Sequence, residues 1–152
     1  SDNLGKLIKC NDVTKNNLKT WLNKNKIISD LVDIRDTKII NVGFEYEFVV
    51  GARFDRLEVL ARVQQKLTNM FSDNFYIGEP MYITDIYNAI NKVKGVVDTV
   101  KVTPKIFRSS GYSDLGIVMD DIISKDGTYV NTPKNCILEI KYPDTDMKGI
   151  IL

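Results

Sequence analysis

The sequence predicts an α+β domain, in which a small twisted mixed sheet carries two helices on one face and an N-terminal helix precedes the sheet. One run of alternating apolar and polar residues predicts a long strand, and two segments with apolar residues every three or four positions predict helices. The chain has 152 residues, 43% of them hydrophobic, so it can bury a core without the help of a metal or a disulfide.

The strongest local pattern lies at residues 40–50. Every second residue is apolar, at Ile40, Val42, Phe44, Tyr46, Phe48 and Val50. Between them stand Asn41, Gly43, Glu45, Glu47 and Val49. A period of two predicts one strand with a buried face and a partly solvated face, and Gly51 ends it.

Two helices are predicted after this strand. Asp55 with Glu58 three residues later forms a capping-box pattern, which predicts a helix over about 56–71. Its apolar stripe is Val59, Leu60, Val63, Leu67, Met70 and Phe71. A second helix begins at Thr84 and ends near Gly95, where a left-handed backbone is expected. Its inward residues are Ile86, Ala89, Ile90 and Val93.

Two further elements flank this core. Thr14 is the predicted N-cap of a lysine-rich helix over about 15–26, whose apolar stripe of Leu18, Trp21 and Leu22 rests on a body. The lysines are either a solvated face or a contact surface for anions. A strand over 96–107 has Val96, Val100 and Val102 as core candidates, and Pro104 indicates an edge position or a bulge.

These elements divide the chain into three predicted parts. Residues 1–36 form an N-terminal helical segment, 37–108 the α+β core domain, and 109–152 an irregular C-terminal hairpin region packed on the core. In the last part, the residue types at 125–128 predict a turn, and 137–142 is predicted to be a short strand. A second turn is predicted at 143–146. The apolar end at 149–152 must be covered by another part of the structure.

Composition and motifs exclude several kinds of activity. The 21 Lys and Arg against 20 Asp and Glu leave a net charge of +1, which gives no global electrostatic case for nucleic-acid binding. The chain contains no histidine, so histidine triads and Cys/His zinc sites are excluded. Cys10 and Cys136 are expected to be independent thiols. We therefore expect no catalytic residue, no cofactor, no metal, no membrane span and no small-molecule substrate.

One enzymatic alternative remains open, a metal-dependent nuclease. Glu139 and Lys141 are two residues apart on a predicted strand and would point to the same face. Such a pair can hold a divalent cation and position an attacking water, provided that Asp121 or Asp126 supplies a second carboxylate. The structural alternative is an ordinary ion pair on a solvated strand face.

The order and spacing of many weak motifs resemble those of a known protein family. They comprise residues 63–71, 77–80, 82–87, 90–97, the upstream runs 17–22, 28–30, 32–36 and 39–42, and the tail at 139–143 and 146–149. Together they resemble the C-terminal part of baseplate J-like proteins, and especially the ring-forming wedge proteins of T-even-type phages. The likeness covers residues 14–107 well. Many relatives have Pro where this chain has Lys94.

The resemblance implies structural work without catalysis. Such wedge proteins join around a contractile tail tube into a baseplate ring, so it implies self-association, binding of other baseplate proteins and a place in the virion. Family members are longer, and we expect this chain to be a C-terminal piece. Interface candidates chosen by residue type alone are Tyr82, Tyr87, Phe107, Tyr112, Ile150, Ile151 and Leu152. A generic protein-binding module is the further alternative.

Overall fold

The computed structural model describes residues 5–25, 32–109 and 111–152. The chain divides into two compact units, Ser1–Thr37 and Lys38–Leu152, so the division falls one residue after the predicted boundary at 36. Lys26, the predicted last residue of the first helix, and the family-like run at 28–30 lie outside the described residues.

Among its described residues, 5–25 and 32–37, the first unit has the helix α1 (Asp12–Lys24). Its N-cap is Asn11, whose side-chain oxygen accepts the Val13 N–H at 2.8 Å. The predicted cap at Thr14 was wrong, because the stronger capping residue three positions earlier starts the helix sooner. Lys15 extends from α1 to Asp36, with 2.6 Å between Nζ and Oδ2, and this contact lowers the pKa of the Asp36 carboxyl.

The apolar stripe of α1 is not buried. None of the 13 residues of this helix is buried, and the Trp21 side chain is 61% exposed. Leu18 is also exposed, and Leu22 is half-buried. Within the described residues of the first unit, Leu18 and Trp21 are therefore not covered, and the prediction that this stripe rests on a body stays a prediction.

The second unit is built on a mixed sheet around one central strand, β1 (Lys38–Val50). The predicted α+β class is confirmed. The remaining elements are α2 (Arg56–Met70), β2 (Met81–Tyr82), α3 (Ile83–Asn91), β3 (Val96–Ile106), α4 (Met119–Ile122), β4 (Tyr129–Val130), β5 (Cys136–Glu139), α5 (Pro143–Asp146) and β6 (Met147–Ile151). One edge of β1 pairs antiparallel with β3, and the other pairs parallel with β5 and β6.

The C-terminal third differs from the predicted hairpin region. β5 and β6 run in the same direction along one edge of β1, with Asn41 opposite Glu139 and Phe44 opposite Met147. The short helix α5 separates them. The turn predicted at 125–128 is present, where Ile123 and Val130 form an antiparallel bridge. The predicted cover of the apolar end is present only at Ile151, which β6 places beside Phe48, whereas Ile150 and Leu152 stay exposed.

The two predicted core helices pack on one face of this sheet. Asp55 caps α2 by accepting the Glu58 N–H at 2.8 Å, and Gly95 after α3 has a φ of +105°. The inward residues of both helices join one hydrophobic cluster with the even-numbered residues of β1. They are Val59, Val63, Leu67, Ile83, Ile86, Ala89 and Ile90. Met70, predicted for the stripe, is exposed.

The alternation of β3 is interrupted twice. Its register against β1 shifts between Glu47 and Phe48 and again between Val49 and Val50. Each shift inserts one extra residue, so Val100 is 52% exposed while Thr99 is buried and donates to Asn91 Oδ1 at 2.6 Å. The prediction of Val100 as a core residue was therefore wrong. The edge position indicated by Pro104 is confirmed.

Tyr46 links the sheet to the helix face. Its ring is fully buried, and its hydroxyl donates to Gln64 Oε1 at 2.9 Å. Gln64 in turn donates from Nε2 to the Pro143 carbonyl at 3.0 Å. Burial raises the pKa of Tyr46 to about 12, because the phenolate would lose its hydration in the core.

We expect the free energy of unfolding to fall as the pH rises from about 10 to about 12. In that range the unfolded phenol of Tyr46 loses its proton while the folded one keeps it, so deprotonation favours the unfolded chain. Urea titrations at pH 8, 10 and 11 measure this slope. Tyr46→Phe should cost about 1 kcal/mol at pH 8 and give a shallower decline. Tyr82→Phe, at an exposed tyrosine, is the control, and equal slopes in the two variants would contradict the assignment.

Candidate functional site

The interface candidates chosen from the sequence lie in separate places. Tyr82 is exposed on β2, with its ring 6.0 Å from that of Tyr129 on β4. Tyr87 is half-buried, and its hydroxyl accepts the Val102 N–H at 2.9 Å. This bond ties α3 to the edge strand β3. Tyr87 therefore has an internal structural contact, whereas Tyr82 presents its ring at the surface.

Phe107 and Tyr112 belong to a small aromatic cluster with Tyr142, which we call the aromatic cover. The Phe107 and Tyr112 rings stack at 5.2 Å, and Tyr142 meets Tyr112 edge-on at 5.6 Å. The cover lies against β1 at Gly43, where an added Cβ would fall 2.6 Å from a Phe107 ring carbon. Two of the predicted interface residues, Phe107 and Tyr112, thus cover the face of the sheet opposite the helices, at the Gly43 end of β1.

Asn41 is a buried polar residue at this end of β1. Its Nδ2 donates to Glu139 Oε2 at 2.8 Å, and its Oδ1 accepts the Ser113 N–H at 2.7 Å. Its carbonyl accepts the Phe107 N–H at 2.9 Å. Asn41 thereby joins β1 and β5 to the backbone at Phe107 and Ser113, which positions the aromatic cover.

Asp146 is another buried polar residue near this end of β1, and it is only 1% exposed. The Tyr112 hydroxyl donates to Oδ1 at 2.5 Å, and the Tyr142 N–H donates to Oδ2 at 2.8 Å. Burial, followed by this bond to Asp146, raises the pKa of Tyr112 to about 12. We call the buried residues Asn41, Glu139 and Asp146, together with the half-buried Tyr112, the buried polar cluster.

The nuclease residues do not gather into a recognisable metal centre. Glu139 is buried beside Asn41, and Lys141 lies beyond the end of β5, where its Nζ donates to the Gly111 carbonyl. Asp121 and Asp126 line a shallow groove at the 123–130 turn, and Asp126 accepts from the Thr128 hydroxyl at 2.8 Å. Within residues 5–25, 32–109 and 111–152, His, Cys, Asp and Glu form no group of three able to hold a metal ion.

The end of the chain forms an exposed edge. Ile150 is 43% exposed and Leu152 half-exposed, while Ile151 packs against the core cluster. Arg56 of α2 reaches the Leu152 carbonyl from Nη2 at 3.3 Å. Of these three predicted interface residues, Ile150 and Leu152 therefore present apolar surface, and Ile151 faces inward.

Sequence reasoning missed Asn41, Tyr142 and Asp146 as parts of one cluster. A glycine at position 43, within a strong strand pattern, was the available signal, because glycine in a strand often marks the close approach of another segment. No sequence signal indicated which segment would approach. The four-residue turn at 143–146 was predicted, but not that it would bring a carboxylate under the aromatic cover.

The helices of the described part of the chain are short, and both cysteines lie within that part. None of its helices combines the length and apolar character that a membrane crossing requires. Cys10 and Cys136 are both free thiols, the first exposed and the second buried.

Asp146→Ala is expected to lower the free energy of unfolding by about 2–3 kcal/mol, because it strands the Tyr112 hydroxyl and the Tyr142 N–H without their acceptor. Urea unfolding followed by circular dichroism measures the loss. The matched control is Asp144→Ala, at an exposed position of the same short helix, which should change stability by less than about 0.5 kcal/mol. Equal effects of the two substitutions would show that the buried polar cluster does not stabilise the fold.

Comparison with known proteins leaves the family open. No protein-family model matches the chain, and no curated protein is significantly similar to it. The resemblance to baseplate wedge proteins consequently stays an expectation.

Proposed function

We propose that this chain is a structural component of a contractile phage-tail baseplate. In this role it acts in wedge and ring assembly, by self-association and by binding other baseplate proteins, and it performs no catalysis. The proposal places the protein in the virion. The proposal is supported by the order of family-like motifs in the sequence and by the exposed apolar surfaces of the described residues.

The observation that carries the proposal is the exposed helix α1. A 13-residue helix gains little from backbone hydrogen bonding alone and usually depends on tertiary packing of its apolar stripe. Within the first unit, no described residue covers Val13, Leu18 and Trp21, which are all exposed. Tryptophan is enriched among the residues that dominate binding energy at protein interfaces, so α1 has the chemistry of a helix that docks on another protein.

The polar residues of the second unit support a structural role as well. Asn41 and Asp146 use their side-chain oxygens on backbone N–H groups and on the Tyr112 hydroxyl. These bonds hold loop segments against β1. Glu139, the residue on which the nuclease alternative depends, is buried and bonded to Asn41 within this cluster.

Immunogold labelling tests the proposed location. Antibodies raised against the 152-residue chain should label one end of the tail in phage particles from the source that encodes the sequence. Purified particles carrying no label at the tail end would overturn the proposal. A parallel assay incubates the chain with plasmid DNA and magnesium or manganese. Cleavage that Glu139→Gln abolishes would establish the nuclease alternative instead.

The fluorescence of Trp21, the single tryptophan of the sequence, reports on α1 alone. We expect the emission of the free chain to be that of a solvent-exposed indole, and to shift to shorter wavelength when dissociated baseplate proteins are added. The matched control carries Trp21→Phe together with Tyr76→Trp, which moves the indole to a highly exposed position in the second unit. A shift in the control but not in the native chain would place the contact away from α1.

A further inference from the structure

The two edges of the main sheet are protected to different degrees. On β3, the edge carries two bulges, Pro104, and lysines at positions 101 and 105. Bulges, proline and lysine are the usual devices that prevent another strand from adding to an edge. On β6, Met147–Ile151 keeps an unbroken register with residues 44–48 of β1 and contains no proline. The β6 edge has one lysine, Lys148, but neither a bulge nor a proline, so it is less protected than the β3 edge.

The backbone of β6 has hydrogen-bonding groups on its free side. The Leu152 N–H donates to the Phe48 carbonyl at 3.1 Å, toward β1. Because N–H groups alternate in direction along a strand, those of Met147, Gly149 and Ile151 point away from β1. Among the described residues, no strand pairs with this side of β6.

A groove follows the β6 edge, with α2 as one wall. Leu57, which is 75% exposed, lines it together with Leu60 and Ala61, and β6 contributes Met147 and Ile150. Gly149 lies at its centre, where Leu60 and the Tyr46 ring fill the space on the helix side. Glu45 and Asp144 are the acidic residues of the lining, and Lys148 is its single lysine.

We propose that a second copy of this chain adds its own β6 antiparallel to this edge, about a two-fold axis at Gly149. The inference rests on the proposed function and names the surface through which self-association occurs. In this register Lys148 lies opposite Ile150 of the other copy, and Met147 lies opposite Ile151, so no like charges face each other. Lys148 is the only charge on the incoming strand, and the groove that receives it carries two carboxylates.

The symmetry also explains why a second copy fits this edge. A two-fold axis perpendicular to the sheet puts the α2 helices of both copies on the same face of the joined sheet. Each copy then covers the exposed Leu57 side of the other while both β6 strands satisfy their outward N–H groups. Addition of a strand to an open sheet edge is an established mode of protein recognition.

Sedimentation velocity of the native chain, from micromolar to near-millimolar concentration, is the first measurement. We expect a concentration-dependent dimer. Ile150→Lys should raise its dissociation constant about tenfold or more, because it sets a lysine opposite Lys148 of the other copy, twice per dimer. Within its own chain the new lysine lies beside Glu47, its register partner, so the fold should tolerate it. Val100→Lys, an exposed valine on the β3 edge, is the matched control and should leave the dimer unchanged.

A second variant tests the register itself. Lys148→Cys with Ile150→Cys, in a chain whose exposed Cys10 is replaced by serine, should form a disulfide-linked dimer under oxidation. The proposal would be overturned if the native chain remained monomeric or if the dimer survived Ile150→Lys. It would also be overturned if Val100→Lys weakened the dimer as much as Ile150→Lys does. Circular dichroism of each variant confirms that it is folded. Particle labelling tests the baseplate assignment separately, so failure of this dimer and failure of that assignment are distinguishable.

Discussion

The pairing of β1 on both of its edges is the constraint on which the rest of the second unit depends. β3 occupies one edge, and β5 and β6 share the other. The even-numbered residues of β1 consequently point to one face, where α2 and α3 cover them. Since a strand paired on both edges cannot slip by one residue without exposing its apolar side chains, this arrangement also fixes the register of its neighbours.

The opposite face of the sheet is divided in two. At Asn41 and Gly43 it is closed by the aromatic cover and by the bonds of the buried polar cluster. At Glu45 and beyond it is open and charged. Lys105 lies 2.6 Å from Glu45 and lowers the pKa of that carboxyl. One strand therefore supplies a hydrophobic face, a sealed polar end and a solvated charged end.

An assembly role is consistent with how this chain distributes its surface. Its buried carboxylates serve the fold, whereas α1, the β6 edge and the outer side of α2 are among the places that carry exposed apolar side chains. These are elements that other chains can reach. A protein that works by contact needs such surfaces more than it needs a deep cavity, and a strand edge provides directional backbone bonds that a flat apolar patch does not.

The sequence by itself determined the local elements of this protein. The alternation at residues 40–50, the capping pair Asp55 and Glu58, and the breaks at Gly51 and Gly95 depend on neighbours a few positions away, so they could be predicted. Tertiary structure alone decided that β5 and β6 both join β1, that bulges turn Val100 outward, and that Asp146 lies under Tyr112. These outcomes depend on pairings between residues 34 to 103 positions apart, which no local period encodes.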